Sequence, residues 1–216
     1  MDAASETELV PSGEDRPAVS RPRRRGSGRD RILECALEAF CEIGYQATSV
    51  RDIAQRSSVS VPGLYHHFSS KYEILLTLIR RVMNDLIVET SKAVQDGGSD
   101  PVERLGAAVQ AHVKFHTERQ QESFLGNTEL RSLGPEERTE IVALRDQQQA
   151  IFGTLIAEGV AAGRMHAGSV QGATRAIVTM CTAVASWYRP GGSLTSESVA
   201  DQYRAYALAI VTGHLP

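Results

Sequence analysis

Thr48-Ser-Val-Arg-Asp-Ile-Ala-Gln-Arg-Ser-Ser-Val-Ser-Val-Pro-Gly-Leu-Tyr-His-His-Phe-Ser-Ser-Lys71 is the stretch whose reading decides the fold. Ser49 followed three residues later by Asp52 has the form of a capping box, in which side chain and backbone satisfy each other at a helix start. Val50, Ile53 and Ala54 then give one apolar face at helical spacing. Ser57 to Ser60 reads as a tight turn, and Ser60 is a natural N-cap for a second helix. Pro62 falls in the first turn of that helix, where its missing N–H costs nothing. Leu64 and Phe68, four apart, point inward and leave Val61, Gly63, Tyr65, His66 and His67 facing out. A short helix with polar and aromatic outward residues suits the major groove of DNA. The alternative is a helical hairpin of any all-α domain, its outward residues merely solvated.

Upstream, Leu33, Ala36, Leu37 and Phe40 recur at helical spacing between Asp30 and Ile43, and Gly44 stops that helix. Downstream, Ser70 with Glu73 forms a second capping box, opening a long helix through Ile74, Leu78, Val82 and Leu86. The run 96–99 breaks it. Asp100, Pro101 and Glu103 then sit at N-cap, N1 and N3 of a helix reaching about Arg119. Gly134-Pro-Glu-Glu opens another that extends to Gly163, and 169–189 and 195–213 form the last two, separated by Pro190-Gly-Gly-Ser193. No strand alternation appears, so the sequence predicts an all-α chain of about nine helices. Three domains are expected: a disordered tail over 1–27, a helix-turn-helix unit over 28–72 and a helical ligand-binding and dimerisation unit over 73–216.

The net charge of −3 conceals a segregation. Residues 1–15 carry five acids and no base, residues 16–71 ten bases against five acids, and residues 72–216 thirteen bases against sixteen acids. The basic excess coincides with the motif, which is what an electrostatic footprint on phosphate requires. Within it, Arg21 to Arg25 forms a basic arm that either tracks the DNA backbone or minor groove, or is a solvated tail. Apolar residues make up 42% of the chain, no run approaches the roughly 18 apolar residues of a membrane span, and the first residues lack a signal-peptide layout. A cytoplasmic protein with no membrane partner is expected. Cys35, Cys41 and Cys181 form no CxxC pair and read as buried, reduced thiols.

The residues Thr48 to Ala54 and Val59 to Lys71 closely resemble the helix-turn-helix signature of the tetracycline-repressor (TetR) family, over a long and ungapped stretch. The resemblance implies DNA binding through Thr48, Ser49, Arg51, Ser60, Val61, Pro62, Gly63, Tyr65, His66, His67 and Lys71. Ser49, Tyr65, His66 and Lys71 are then expected on phosphate, and Val61, Pro62 and Gly63 near base edges. One departure is Ser58, where the family usually has glycine. If the turn needs positive φ there, serine is strained by on the order of 1 kcal/mol.

The last two helices are rich in small and apolar residues, including Ala173, Ala176, Ile177, Met180, Ala183, Val184, Trp187, Tyr203, Ala207, Ile210 and Val211. In the resembling family these helices pair with their copies in a second subunit, so a homodimer is implied; ordinary core packing within one subunit is the alternative. Asn127-Thr-Glu-Leu130 and Trp187-Tyr-Arg-Pro-Gly-Gly192 are similar to a branch of actinobacterial regulators of lipid and steroid breakdown, several of which respond to acyl-coenzyme A thioesters. An effector pocket is expected among His112, Phe115, His116, Phe124, Asn127, Ile151, Phe152, Met180 and Val184, with Arg189 a candidate for phosphate. His112 and His116 at i, i+4 have a metal-compatible spacing but no third ligand by spacing, so no metal and no cofactor is expected. Together these readings give a homodimeric repressor on a palindromic operator, released by a small hydrophobic or amphipathic effector. The competing classes are an α-helical enzyme using His112, His116 or Cys181, and an activator without effector response.

Overall fold

The computed structural model describes residues 27–213, so the tail and the basic arm Arg21 to Arg25 lie outside the described residues. Nine α-helices follow in order: α1 Gly28–Ile43, α2 Val50–Arg56, α3 Val61–His67, α4 Lys71–Asp96, α5 Pro101–Glu118, α6 Gln120–Thr128, α7 Pro135–Ala161, α8 Val170–Trp187 and α9 Ser196–Thr212. One 3-10 turn, Glu129–Ser132, joins α6 to α7, and there is no strand among the described residues.

The helix starts are written in local hydrogen bonds. At α2 the Asp52 amide donates to Ser49 Oγ (3.2 Å) and the Ser49 amide donates to the Asp52 carboxylate (2.8 Å), a complete capping box. Ser60 Oγ accepts from the Gly63 amide at 3.1 Å and caps α3, with Pro62 in its first turn. The box expected at α4 is altered. Ser70 accepts from the Glu73 amide, but the Glu73 carboxylate reaches one residue further back, to the amide and hydroxyl of Ser69 (2.6 and 2.7 Å). α1 ends at Gly44, whose φ of 87° is open to glycine at no steric cost.

Ser58 does occupy the left-handed region, with φ of 53°, and is the one non-glycine residue with positive φ among those described. The turn is not reshaped around it. Val59 N–H donates to Ala54 C=O (3.0 Å) and Ser58 N–H to Gln55 C=O (3.1 Å), the two bonds of a Schellman helix end. Arg31 adds a hydrogen bond to the Ser58 hydroxyl at 3.0 Å. Ser58→Gly is therefore expected to stabilise the chain by about 0.5 kcal/mol, relief of strain slightly outweighing the lost hydroxyl contact and the freer unfolded chain. Thermal melting should rise by about 1–2 °C; a fall would mean that the Arg31 contact matters more than the backbone.

Two cores hold the chain, and they do not divide at the end of the helix-turn-helix unit. The first joins Ile32, Phe40, Ile53, Leu64 and Phe68 of α1 to α3 with Ile79, Val82 and Leu86 of α4, Phe115 of α5, Leu125 of α6 and Ile141 of α7. The second packs Leu105, Val109 and Val113 of α5 against Phe152 and Leu155 of α7, Ile177, Cys181 and Val184 of α8, and Val199, Ala207 and Val211 of α9. α5 lies between α4 and α9 and touches α6, α7 and α8 as well.

Candidate functional site

The outer surface of α2 and α3 is built by elimination. Leu64 and Phe68 are buried, which leaves Ser60, Pro62, Tyr65, His66 and His67 exposed on α3, with Ser49 and Arg51 exposed at the start of α2. Gly63 and Val61 are half-buried, and Val61 packs against the first core instead of standing clear of it. His67 sits against the first residue of α1, its Nε2 3.3 Å from where a Cβ on Gly28 would lie. Two expected members of this surface are elsewhere. Thr48 is buried, its hydroxyl donating to the carbonyls of Gly44 (2.9 Å) and Ala39 (3.3 Å), so its side chain fixes the end of α1.

Lys71 is the second. Its ammonium donates to the carbonyls of Tyr45 (2.7 Å), Gln46 (3.3 Å) and Thr48 (2.7 Å) and lies 4.5 Å from the centre of the Tyr45 ring. An ammonium has three N–H donors, and here all three are used inside the protein. Lys71 thus clamps the segment that leads from α1 into α2. Tyr72 makes a related tie, its hydroxyl accepting from the Gly134 amide at 2.8 Å at the start of α7.

A cavity of about 490 Å³ opens between α4, α5, α6, α7 and α8. Five of the expected wall residues, His112, Phe115, His116, Phe124 and Asn127, line it; Ile151, Phe152, Met180, Val184 and Arg189 do not. On α8 the wall is Val178, Thr179, Thr182, Ala183 and Ser186, whereas Val184 is buried in the second core with Phe152. Met180 and Ile151 pack against that same core, and Arg189 is exposed in the turn after α8. The apolar stripe of a helix marks its packed face; the cavity takes the more polar face beside it. Arg145 and Thr182 were missed for that reason, and Gln148 because it is a polar residue inside the packed stripe itself. Gln148 alone left a signal, as the polar member of the otherwise apolar series Ile141, Leu144, Phe152 and Leu155 on α7.

The two histidines stack with ring centres 4.4 Å apart. His116 Nδ1 donates to the His112 carbonyl (2.8 Å), and His112 is held between Gln148 Nε2 (3.2 Å) and the Thr182 hydroxyl (3.1 Å). Burial pushes the His116 imidazole down to about 4, and burial with the neighbouring ring pushes His112 well below the ordinary histidine range. Both rings are therefore neutral near pH 7. The unfolded chain binds these protons near pH 6.5 and the folded chain does not, so stability rises with pH across this window. It is fully present above about 6.5 and is lost as pH falls towards about 4, by on the order of 3 kcal/mol for His116 alone. A melting temperature that stays flat between pH 7 and pH 5 would contradict this.

Among the described residues, His112 meets the Thr182 hydroxyl and the Gln148 amide and His116 meets a backbone carbonyl, and neither ring has a carboxylate or thiol as a hydrogen-bond partner. Cys181 is fully buried, and desolvation pushes its thiol up to about 12, so it is unreactive. No cluster of three or more His, Cys, Asp or Glu suited to a metal occurs among the described residues. No helix among them is long and apolar enough to cross a membrane.

A second apolar surface runs over α8 and α9 and meets the cavity wall at Ala183. Trp187, Tyr206 and Ile210 are 39%, 43% and 42% exposed, Trp187 stacks on Tyr203 with ring centres 6.2 Å apart, and Ala176 and Ala183 are open beside them. Ala207, Ile177, Val184 and Val211 instead face the second core.

Comparison with known proteins places the chain among bacterial regulators. Residues 32–78 match the bacterial regulatory proteins of the tetR family, and residues 98–211 match the tetracyclin repressor-like C-terminal domain. The HTH-type transcriptional repressor KstR2 of Mycobacterium tuberculosis (strain CDC 1551 / Oshkosh) is 30% identical over 200 residues, covering 92% of this chain and 98% of that protein. A bacterial regulatory protein of the tetR family from Rhodococcus RHA1 superposes with a TM-score of 0.81 at 27% identity, over 87% of this chain and 98% of that one. AibR, solved in complex with isovaleryl coenzyme A and operator DNA, superposes with a TM-score of 0.75 at 25% identity, over 83% of this chain and 97% of that one.

Proposed function

The chain belongs to the tetR family of bacterial regulatory proteins, a transcriptional repressor and not an enzyme, and from that premise we propose that it works as a homodimer released from a palindromic operator by a small amphipathic effector held in the cavity. α3 is the reading helix. Tyr65, His66, Ser49 and Arg51 meet phosphates, and Pro62 and Gly63 approach base edges, with Ser60 and His67 flanking them. The apolar face of α8 and α9 is the dimer interface, because Trp187, Tyr206 and Ile210 are large side chains that a partner would remove from water. AibR binds an acyl-coenzyme A, which supports a ligand of the same amphipathic kind in this cavity.

The observation that carries the reading is that the cavity and the helix-turn-helix unit share one core. Val82, Met83, Leu86 and Phe115 line the cavity and also pack in the cluster that holds Leu64 and Phe68. An effector that needs a slightly different spacing of these residues favours a different seating of α3 in each subunit. It releases DNA only to the extent that it binds that state more tightly. The two reading helices must lie about 34–36 Å apart to reach successive major grooves, so a small splay loses one half-site.

Fluorescence anisotropy on the chain's own upstream DNA tests this directly. Binding is expected to weaken steeply with salt and to be reversed by decanoyl-coenzyme A. Val178→Trp, which places an indole in the cavity, should abolish that reversal. Salt-independent binding, or reversal that survives in Val178→Trp, would count against the proposal.

A further inference from the structure

The chemistry of the effector can be read from what the cavity wall lacks, taking the cavity as the effector site proposed above. Ser123 Oγ and Gln148 Oε1 both belong to wall residues, both are buried, and neither has a hydrogen-bond partner among the described residues. A buried polar atom left unpaired carries its full desolvation penalty, so two of them on one cavity mark a place for a polar group.

Gln148 is oriented from behind. Its Nε2 donates to the Thr90 hydroxyl (2.9 Å) and to His112 Nδ1 (3.2 Å), which leaves Oε1 as the unpaired end. A carboxamide oxygen only accepts, so its missing partner is a donor. His116 points the same way: with Nδ1 spent on the His112 carbonyl and the ring neutral, Nε2 is a second acceptor on the wall. One turn before Gln148, Arg145 also lines the cavity. It donates to the Gly126 carbonyl at 2.8 Å, is half-buried, and has no carboxylate partner among the described residues. A guanidinium partly withdrawn from water, with several donors unused, suits an anion.

We propose that the effector is an anionic amphiphile whose apolar body carries a hydroxyl. The anion pairs with Arg145, while the hydroxyl donates to Gln148 Oε1 and accepts from Ser123. Val82, Leu86 and Phe115 cover the apolar remainder. The anion is either a free carboxylate or the phosphates of a coenzyme A thioester.

Four probes separate these chemistries in calorimetric titration of the full chain: decanoic acid, 3-hydroxydecanoic acid and the coenzyme A thioester of each. The hydroxylated member of each pair is expected to bind roughly tenfold or more tightly than its plain counterpart. Ser123→Ala and Gln148→Met should each pull that ratio towards one while leaving the plain probe's affinity nearly unchanged, which a merely structural role for either residue would not do. Arg145→Met should weaken the source of the anion roughly tenfold, whichever of acid and thioester that is, with the hydroxyl preference intact. Equal binding with and without the hydroxyl overturns the inference, as does a preference that persists in both Ser123→Ala and Gln148→Met. Tighter binding of a 3-oxo analogue than of the 3-hydroxy compound would reverse the polarity of Gln148 and overturn it too. Those results leave the effector cavity in place; the effector reading itself falls only if Val178→Trp leaves operator release unchanged.

Discussion

A chain carrying Tyr206→Glu and Ile210→Glu is expected to sediment as a monomer and to bind its operator at least a hundredfold more weakly than the parent. Both side chains stand on the outer face of α9, 43% and 42% exposed, so charging them leaves the second core intact. The monomer should keep its helical content. In a dimer, seating one reading helix makes the second binding event intramolecular, and linked sites of this kind gain about 10²–10⁴ in affinity. The monomer forfeits that gain and leaves a single short helix to hold one half-site. The control is Ala207→Glu. Ala207 is fully buried between α5 and α9, so a charge there should unfold the chain and not merely dissociate it. A dimer that persists in the double variant by light scattering would place the interface elsewhere.

Lys71→Ala is expected to lower stability by about 1–3 kcal/mol, because three carbonyls lose their donor at once. Melting should fall by about 3–8 °C for a chain of this size. Operator affinity should fall as well, since the segment 45–48 sets where α2 begins. The informative measurement is the dependence of affinity on salt. A lysine on phosphate contributes about one to the slope of log affinity against log salt, and removing it flattens the line by that amount. A lysine clamped on carbonyls contributes nothing to the slope, so the line should shift and keep its gradient. A flatter line would return Lys71 to the DNA surface. Lys71→Arg is a useful companion, because a planar fork cannot reproduce the three-way contact of an ammonium over the Tyr45 ring.

Two helix starts and the stop of α1 were legible because their causes are local. Ser49 and Asp52, Ser60 with Pro62, and Gly44 each act within four residues, and each does in the structure what its spacing predicts. The left-handed backbone at Ser58 was legible only through the resemblance to the family, which usually has glycine at that place. Lys71 was not. A cation at the start of a helix beside a basic segment reads as a phosphate ligand, and nothing local reveals partners 23 to 26 residues upstream. Thr48 is a different case: its hydroxyl is bound to carbonyls only four and nine residues upstream, and its burial follows from the packing of α1.

The cavity was half legible. His112 and His116 stood out because imidazoles on an apolar stripe need partners, and those partners proved to be Gln148, Thr182 and a backbone carbonyl. The α8 wall was misplaced by the rotation between a helix's packed stripe and its polar flank: Val184 belongs to the former, Thr182 and Ser186 to the latter. Sequence periodicity finds what is packed. A cavity is where packing stops, and only the assembled bundle shows it.

The first core runs without interruption from Ile32 and Leu64 to Phe115 and Ile141, and Cys41 Sγ donates to the Gln121 carbonyl (3.6 Å) where α1 meets α6. Amide hydrogens of α1 and of the cavity walls on α4 and α5 should then exchange with solvent through the same opening event, not as separate units. Occupying the cavity would slow deuterium uptake in α1, far from any atom of the ligand, while α9 on the other core keeps its own rate. The unit that opens is defined by shared side chains, and it crosses the boundary between the helix-turn-helix unit and the helices that form the cavity.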